Sequence, residues 1–399
     1  MKKRVFSILS LFGLCVSLFC GCRADDPKIA AVERAVDRAR VQLQHAASEF
    51  DTLPGFPRSL MPKFKVVDAY DWTSGFFPGS LWLAYDLTGD ESLRSAAEKY
   101  TDRLEGIQYY KGTHDLGFMV FCSFGQQLAA LGDRHSAEVI VEAAKSLVSR
   151  CNPTIGLIRS WDFGEWNYPV IIDNMMNLEM LFWASKHTGD PKYRDVACRH
   201  ADITLANHFR DDASSYHVVS YNNDGSVESR GTFQGYTDES TWARGQVWGL
   251  YGYTMCFRET GDPKYLAHAE RIASLLMNHP RTPADRIPYW DYDAPGQPDA
   301  PRDASAAAVM ASALFELSTL VPADEGRKYF DYAETLLMSL CSDDYLADEG
   351  TNGGFVLMHS VGHWPANSEI DTPLNYADYY FLESIVRYLK LRGVDSRRV

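Results

Sequence analysis

Asp115 and Asp173 stand out by their surroundings. Asp115 precedes Leu-Gly-Phe-Met-Val-Phe, and Asp173 precedes Asn-Met-Met-Asn-Leu-Glu-Met-Leu-Phe-Trp. Neither is set like a typical solvated acid. Two such acids at a shared site would be partly desolvated and would repel each other, and both effects raise a pKa. A carboxyl raised in this way can serve as a general acid near neutral pH. A plainer role competes: Asp is a preferred helix N-cap, and each stands where a helix would begin.

A second group of candidates lies in Gln234-Gly-Tyr-Thr-Asp-Glu-Ser-Thr-Trp-Ala-Arg-Gly-Gln-Val-Trp248. The flat indole faces of Trp242 and Trp248 suit sugar rings, and the Arg244 fork between them suits a carboxylate. The alternative is a core helix whose Arg244 pairs with Asp238 or Glu239. His217, in Ser215-Tyr-His-Val-Val-Ser220, precedes this stretch and is open to a structural or a binding role. Trp161-Asp-Phe-Gly-Glu-Trp166 and Pro288-Tyr-Trp-Asp-Tyr-Asp293 read as aromatic rim loops or as packing plugs. The chain carries no GxSxG, HExxH, phosphate loop or dinucleotide fingerprint. A hydrolase working with two acids remains.

The elements that must hold these residues are helices of two alternating kinds. Amphipathic, charged helices are expected at about 28–48, 92–108, 135–150, 191–209, 263–279 and 325–341. Helices richer in apolar, aromatic and small residues are expected at about 75–88, 115–131, 174–188, 240–260, 303–320 and 376–392. The turn from an apolar helix to the next charged one recurs as Leu87-Thr-Gly-Asp90, His187-Thr-Gly-Asp190 and Glu259-Thr-Gly-Asp262. Glycine supplies the left-handed residue that ends one helix, and Asp caps the next. Units that cannot bury their apolar face alone must stack on their neighbours. Six pairs whose inner helices are apolar nearly all round favour a closed all-α toroid, (α/α)6, over an open solenoid. All inner N-termini then open at one end. There Asp71–Gly79, Thr113–Asp115, Asp173-Asn174, the 234–248 stretch, Asp303–Ser305 and Asn375–Asp378 gather acids and aromatics at one mouth, the composition of a carbohydrate pocket.

Composition sets the outer bounds. The chain has 399 residues and is 46% hydrophobic, with no polar linker dividing it, so residues 26–399 are expected to form one domain. Lys2, Lys3 and Arg4 before an apolar run from Val5 to Phe19 make residues 1–21 a secretory signal. Phe19-Cys20-Gly21-Cys22 loosely matches a bacterial lipoprotein cleavage box, with Cys22 as the lipidated residue. The protein is therefore expected in the periplasm or lipid-anchored at the cell envelope. Cys122, Cys151, Cys198, Cys256 and Cys341 sit in apolar contexts without metal-type spacing and read as buried thiols. Removing the three basic signal residues takes the formal charge from −14 to −17. No basic stripe compensates, which argues against a nucleic-acid partner.

Trp72-Thr-Ser-Gly-Phe-Phe-Pro-Gly79, His114-Asp-Leu-Gly-Phe118, Asp173-Asn-Met-Met-Asn-Leu178 and the stretch from Gln234 to Trp248 resemble the unsaturated glucuronyl hydrolases, family 88 of the glycoside hydrolases. Asp303-Ala-Ser-Ala-Ala-Ala308 and Asp378-Tyr-Tyr-Phe-Leu-Glu383 add to the resemblance, which covers nearly the whole mature chain. The resemblance implies the six-pair toroid, Asp173 as acid/base and Asp115 as its partner, keeping the proton on Asp173. It implies Trp72, His217, Thr232, Gln234, Trp242, Arg244 and Trp248 as substrate-binding residues, with no metal or organic cofactor. The implied substrate is a glycosaminoglycan-derived oligosaccharide with a 4,5-unsaturated glucuronic acid at its non-reducing end. An unsaturated rhamnogalacturonyl hydrolase and a non-catalytic glycan-binding surface lipoprotein are the alternatives. The protein is expected as a monomer or small homo-oligomer, meeting the membrane only through an N-terminal lipid. Residues 352–372 depart from the family pattern.

Overall fold

The helices alternate as the sequence pattern predicts. In the computed structural model, which describes residues 26–60 and 63–395, twelve α-helices follow one another as outer and inner partners. Residues 1–21, expected to be a secretory signal, and Cys22 lie outside the described residues. The pairs are α1 (Pro27–Glu49) with α2 (Phe76–Thr88), α3 (Glu91–Asp102) with α4 (Phe124–Leu131), and α5 (Arg134–Val148) with α6 (Asn174–Thr188). Then come α7 (Pro191–Asn207) with α8 (Ala243–Thr260), α9 (Pro263–Met277) with α10 (Ala304–Leu317), and α11 (Ala323–Leu340) with α12 (Asn375–Leu391).

Burial separates the two kinds. In α10 every residue from Ala304 to Phe315 is buried, whereas α3 buries only Leu93, Ala97, Tyr100 and Thr101. A helix apolar on all sides must be covered on all sides. The inner helices accordingly pack in a ring: α2 on α4, the turn before α4 on α6, then α6 on α8, α8 on α10, α10 on α12, and α12 back on α2. The toroid is closed, which settles the alternative of an open solenoid.

The recurring turns work as expected. Gly89, Gly189 and Gly261 have φ of 68°, 73° and 71°, and Asp90, Asp190 and Asp262 accept hydrogen bonds from the amides of Ser92, Lys192 and Lys264. A Cβ at any of these glycines would touch nothing within 4 Å. The left-handed backbone, not crowding, is what selects glycine there.

Two features depart from the expected helices, and both serve the mouth. The second inner element is not one helix over 115–131. A π-helical turn, Gly117–Phe121, precedes α4, and Ser123 breaks the ladder by donating its hydroxyl to Met119 O at 2.7 Å. Gly117 lets this turn press on α6, because a Cβ there would lie 2.6 Å from Asn177 Oδ1. Asn177 Oδ1 in turn accepts the amide of Phe118 at 3.0 Å. The second feature is a pair of small antiparallel sheets, β1 (Phe56–Ser59) with β2 (Lys65–Val67), and β3 (Pro169–Ile171), β4 (Val218–Tyr221) and β5 (Val227–Gly231) in that order. Ile171 pairs with Val218, and Ile172 N donates to His217 O at 3.1 Å. This register holds Asp173 and His217 side by side.

Candidate active site

A cavity of about 440 Å³ opens at the end of the toroid where the inner helices begin. Its wall includes Arg58, Trp72, Asp115, Trp161, Asp173 and Gln234, with Phe163 and His363 at the rim. Asp173 stands immediately before α6 with helical dihedrals, and its side chain makes no capping hydrogen bond. The Asp115 carbonyl accepts the amide of Met119 at the start of the π turn, but its carboxyl takes the Thr113 hydroxyl and caps no turn amide. The structural alternative for both acids is thereby removed. Their carboxyls are left for the cavity.

Burial pushes the Asp173 carboxyl up to about 7; Arg244 opposes this, and the charge of Asp115 adds to it. Asp115 is also raised to about 7 by burial, against the hydrogen bonds of Thr113 and Asn177. Desolvation thus outweighs mutual repulsion as the cause. Asp173 Oδ2, His217 Nε2 and Trp248 Nε1 are all buried without a hydrogen-bond partner. His217 Nε2 lies 3.6 Å from Asp173 Oδ2, too far for a hydrogen bond. The Trp248 indole lies close enough to the same carboxyl to favour its ionised form, without a formed hydrogen bond. His217 Nδ1 accepts the amides of Phe233 (3.0 Å) and Gln234 (3.1 Å). Burial keeps this ring neutral, so its single proton is on Nε2, aimed at Asp173.

Of the expected binding residues, Trp72 and Gln234 line the cavity; His217, Trp242, Arg244 and Trp248 are buried, and Thr232 is half-buried two residues before Gln234. The Arg244 fork faces protein instead of open cavity. It is 1% exposed and donates to Asp303 Oδ2 (3.1 Å), Val361 O (2.5 Å) and Gly362 O (2.7 Å). Its partner is therefore neither Asp238 nor Glu239: Asp238 accepts from Thr232 N, and Glu239 pairs with Arg210. The guanidinium also lies over the rings of Trp242 (4.6 Å) and Tyr376 (5.3 Å). Thr232 Oγ1 accepts the amide of Gly235, shaping the turn that presents Gln234. Asp303 and Asp378, grouped with the mouth acids by sequence, are both backbone clamps. Asp303 caps α10, and Asp378 accepts the amides of Val356 and Leu357.

The two aromatic loops divide. Trp161 and Phe163 stack at 4.9 Å on the cavity rim, and Phe163 is 54% exposed. Trp290 is instead buried against Trp364 at 5.0 Å, a packing plug.

Sequence reasoning missed Arg58 and the 359–372 segment. Arg58, in β1, donates to both oxygens of Asp71 (3.0 and 2.8 Å) and both of Glu369 (2.8 and 2.8 Å). Burial opposes ionisation of Glu369, but Arg58, Lys65 and Ser59 hold its carboxyl down at about 2. Together with Arg244 on Val361 and Gly362, this pins the segment that carries His363 over the cavity. The only sequence signal was that this segment departs from the family pattern.

The model of Glycosyl Hydrolase Family 88 matches residues 51–315. An unsaturated glucuronyl hydrolase of Formosa agariphila is 45% identical over 97% of this chain and 98% of its own length. The crystal structure of an unsaturated glucuronyl hydrolase specific for heparin superposes with a TM-score of 0.90 at 51% identity, covering 92% of this chain and 99% of that one. A Streptococcus agalactiae unsaturated glucuronyl hydrolase variant complexed with dGlcA-GalNAc6S superposes at 0.76 with 31% identity, covering 90% and 92%. The chain belongs to glycosyl hydrolase family 88.

As a family 88 member it is a glycoside hydrolase, and the toroid read from the helix pattern is the family's. Among the described residues no group of three or more His, Cys, Asp or Glu side chains could hold a metal ion. Excess chelator is therefore expected to leave turnover unchanged. Inhibition reversed by a divalent ion would reveal a metal site elsewhere. The five cysteines from Cys122 to Cys341 are free thiols; Cys122, Cys256 and Cys341 are buried as expected, whereas Cys151 and Cys198 are only half-buried.

Proposed function

We propose that this family 88 enzyme releases 4,5-unsaturated glucuronic acid from the non-reducing end of glycosaminoglycan-derived oligosaccharides. The observation that carries the reading is a buried carboxyl, Asp173, and a largely buried one, Asp115, each raised to about 7, on one aromatic-walled cavity. The names of the relatives, unsaturated glucuronyl and chondroitin disaccharide hydrolases, agree with it.

The unsaturated ring is a vinyl ether. Protonated Asp173 gives its proton to C4, which leaves an oxocarbenium-like cation at C5. The same carboxylate then takes a proton from water as that water attacks C5. The C5 hemiketal opens to a ketone, and the hemiacetal left at C1 collapses to an aldehyde and frees the aglycone hydroxyl. No displacement occurs at C1, so the carboxylate-spacing rule for retaining and inverting glycosidases does not apply. Asp115 lines the same cavity and orients the substrate, Trp72 offers a ring face, and Gln234 offers an amide. His217 and Trp248 stabilise the Asp173 carboxylate from behind.

The test follows the ultraviolet absorbance of the C4=C5 bond. Unsaturated heparin, chondroitin or hyaluronan disaccharides should lose it on mixing with the protein. Loss confined to unsaturated rhamnogalacturonan fragments, or binding with no loss, would overturn the reading. The basic and apolar N-terminal run further supports an exported protein, anchored through lipid on Cys22 or free in the periplasm. Metabolic labelling with a fatty acid, lost on Cys22→Ala, separates the two fates.

A further inference from the structure

His114 is 2% exposed and lines the cavity beside Asp115, its Nε2 3.3 Å from Asp115 Oδ1. On its other side is Asn174, the first residue of α6, close enough for its side chain to act on the ring. The Asn174 amide nitrogen donates to Ile158 O at 2.9 Å, so Asn174 has its carbonyl oxygen to offer. Since Nε2 faces Asp115, the ring nitrogen that meets Asn174 is Nδ1. His114 Nδ1 and Asn174 Oδ1 are both buried without a hydrogen-bond partner, so each can be satisfied only by a small approach to the other. An amide oxygen can only accept, so Nδ1 carries hydrogen. Burial and the charge of Arg150 hold the ring neutral, with its pKa down at about 3. A neutral imidazole has one N–H, so Nε2 is a bare acceptor.

Asp115 must complement that acceptor. Its Oδ2 already accepts the Thr113 hydroxyl at 2.8 Å, and Thr113 Oγ1 accepts the Asp115 amide at 3.1 Å. An ionised Oδ1 would set lone pair against lone pair at His114 Nε2, whereas a protonated Oδ1 donates to it. We propose that His114 and Asn174 act as positioning residues, a tautomer lock that keeps Asp115 as the neutral acid, its O–H donated to His114 Nε2. His217 presents the opposite tautomer to Asp173, with N–H forward. The two histidines thus give the two acids opposite proton preferences.

The functional consequence rests on the reading of Asp173 as proton donor. A neutral Asp115 sets no like charge beside the carboxylate that Asp173 becomes, so proton transfer to C4 is not opposed by repulsion. This reverses the role expected from sequence, in which Asp115 keeps the proton on Asp173. Other groups bear on the pair. Asp71 raises and Arg150 lowers the Asp115 carboxyl, and Asn177 and Thr113 hydrogen-bond to it. His200, from α7, lies close enough to His114 to interact electrostatically. Arg244 and Asp115 act on Asp173.

Nitrogen-15 NMR of the mature protein labelled at histidine reads the lock without substrate, with signals assigned by His114→Gln and His217→Gln. On the acid side of neutrality we expect His114 protonated at Nδ1 and bare at Nε2, and His217 the reverse. Carbon-13 labelling of aspartate should show the Asp115 carboxyl protonated in the same range. Asn174→Leu should release the His114 tautomer and make Asp115 about tenfold more ionised at a given pH. The alkaline limb of kcat should then move to higher pH as the new charge acts on Asp173. His114 protonated at Nε2 in the wild type, or Asp115 ionised there, overturns the lock even if Asn174→Leu fails to fold. Neither spectrum depends on turnover, so a failure of the hydrolase reading leaves them intact and is told apart.

Discussion

Replacing Asp173 with Asn is expected to abolish turnover while substrate binding survives. The amide keeps the side chain's shape among Ile171, His217 and Trp248, so the cavity wall stands, but it has no acidic proton for C4. Loss of a general acid costs on the order of 10²–10⁴-fold in rate, about 3–5 kcal/mol of barrier. The pH dependence follows from the sign of the shift. A donor raised to about 7 is protonated and competent below that pH, so wild-type kcat/KM should fall as pH rises through about 7. The two acids are coupled, and the limb belongs to the pair. Absorbance loss gives the rate, and calorimetric titration with an unsaturated disaccharide gives the binding. Activity of Asp173→Asn within a few-fold of wild type would remove Asp173 from the role of donor. Asp115→Asn should also be severe, since an amide offers His114 and Thr113 a different set of donors and acceptors.

The difference in legibility between helices and loops has a physical cause. The outer helices α3, α5, α7 and α9 carry a local signal: an Asp cap directly after the glycine that stops the preceding inner helix, then a one-sided apolar stripe. The acids were legible for a related reason, because a carboxylate set among phenylalanines and methionines is already unusual in its local sequence. Arg244 shows where this ends. Its indole neighbours were visible, but the groups that consume its donors, Asp303, Val361 and Gly362, lie 59 to 118 residues away. Two of these partners are backbone carbonyls, which every residue type carries. Arg58 was invisible for the same reason: nothing in Phe-Pro-Arg-Ser announces a fork that will close on Asp71 and Glu369. The short strands beside Asp173 and His217 span three to five residues each, too few for an alternating pattern to register.

Arg244→Met separates the two meanings of that guanidinium. Arg244 and Asp303 are 1% and 0% exposed, so removing the cation strands a buried carboxylate. Breaking one side of a buried pair typically costs about 3–5 kcal/mol. Val361 O and Gly362 O lose their donors as well, and an unsatisfied buried polar group costs about 1–3 kcal/mol. Urea unfolding should show the midpoint fall steeply for Arg244→Met. The double variant with Asp303→Asn should recover part of the loss, because the amide is neutral and its oxygen can still cap α10 at Ser305 and Ala306. Freed from Arg244, the segment bearing His363 should loosen over the cavity, raising KM for disaccharides in proteins that remain folded. The reading from sequence alone, an arginine held for the substrate's carboxylate, makes the opposite forecast. It expects the midpoint to stay near wild type, KM alone to rise, and Asp303→Asn to rescue nothing. An unchanged unfolding midpoint would therefore return Arg244 to the substrate and leave the 359–363 segment held by Arg58 and its own backbone.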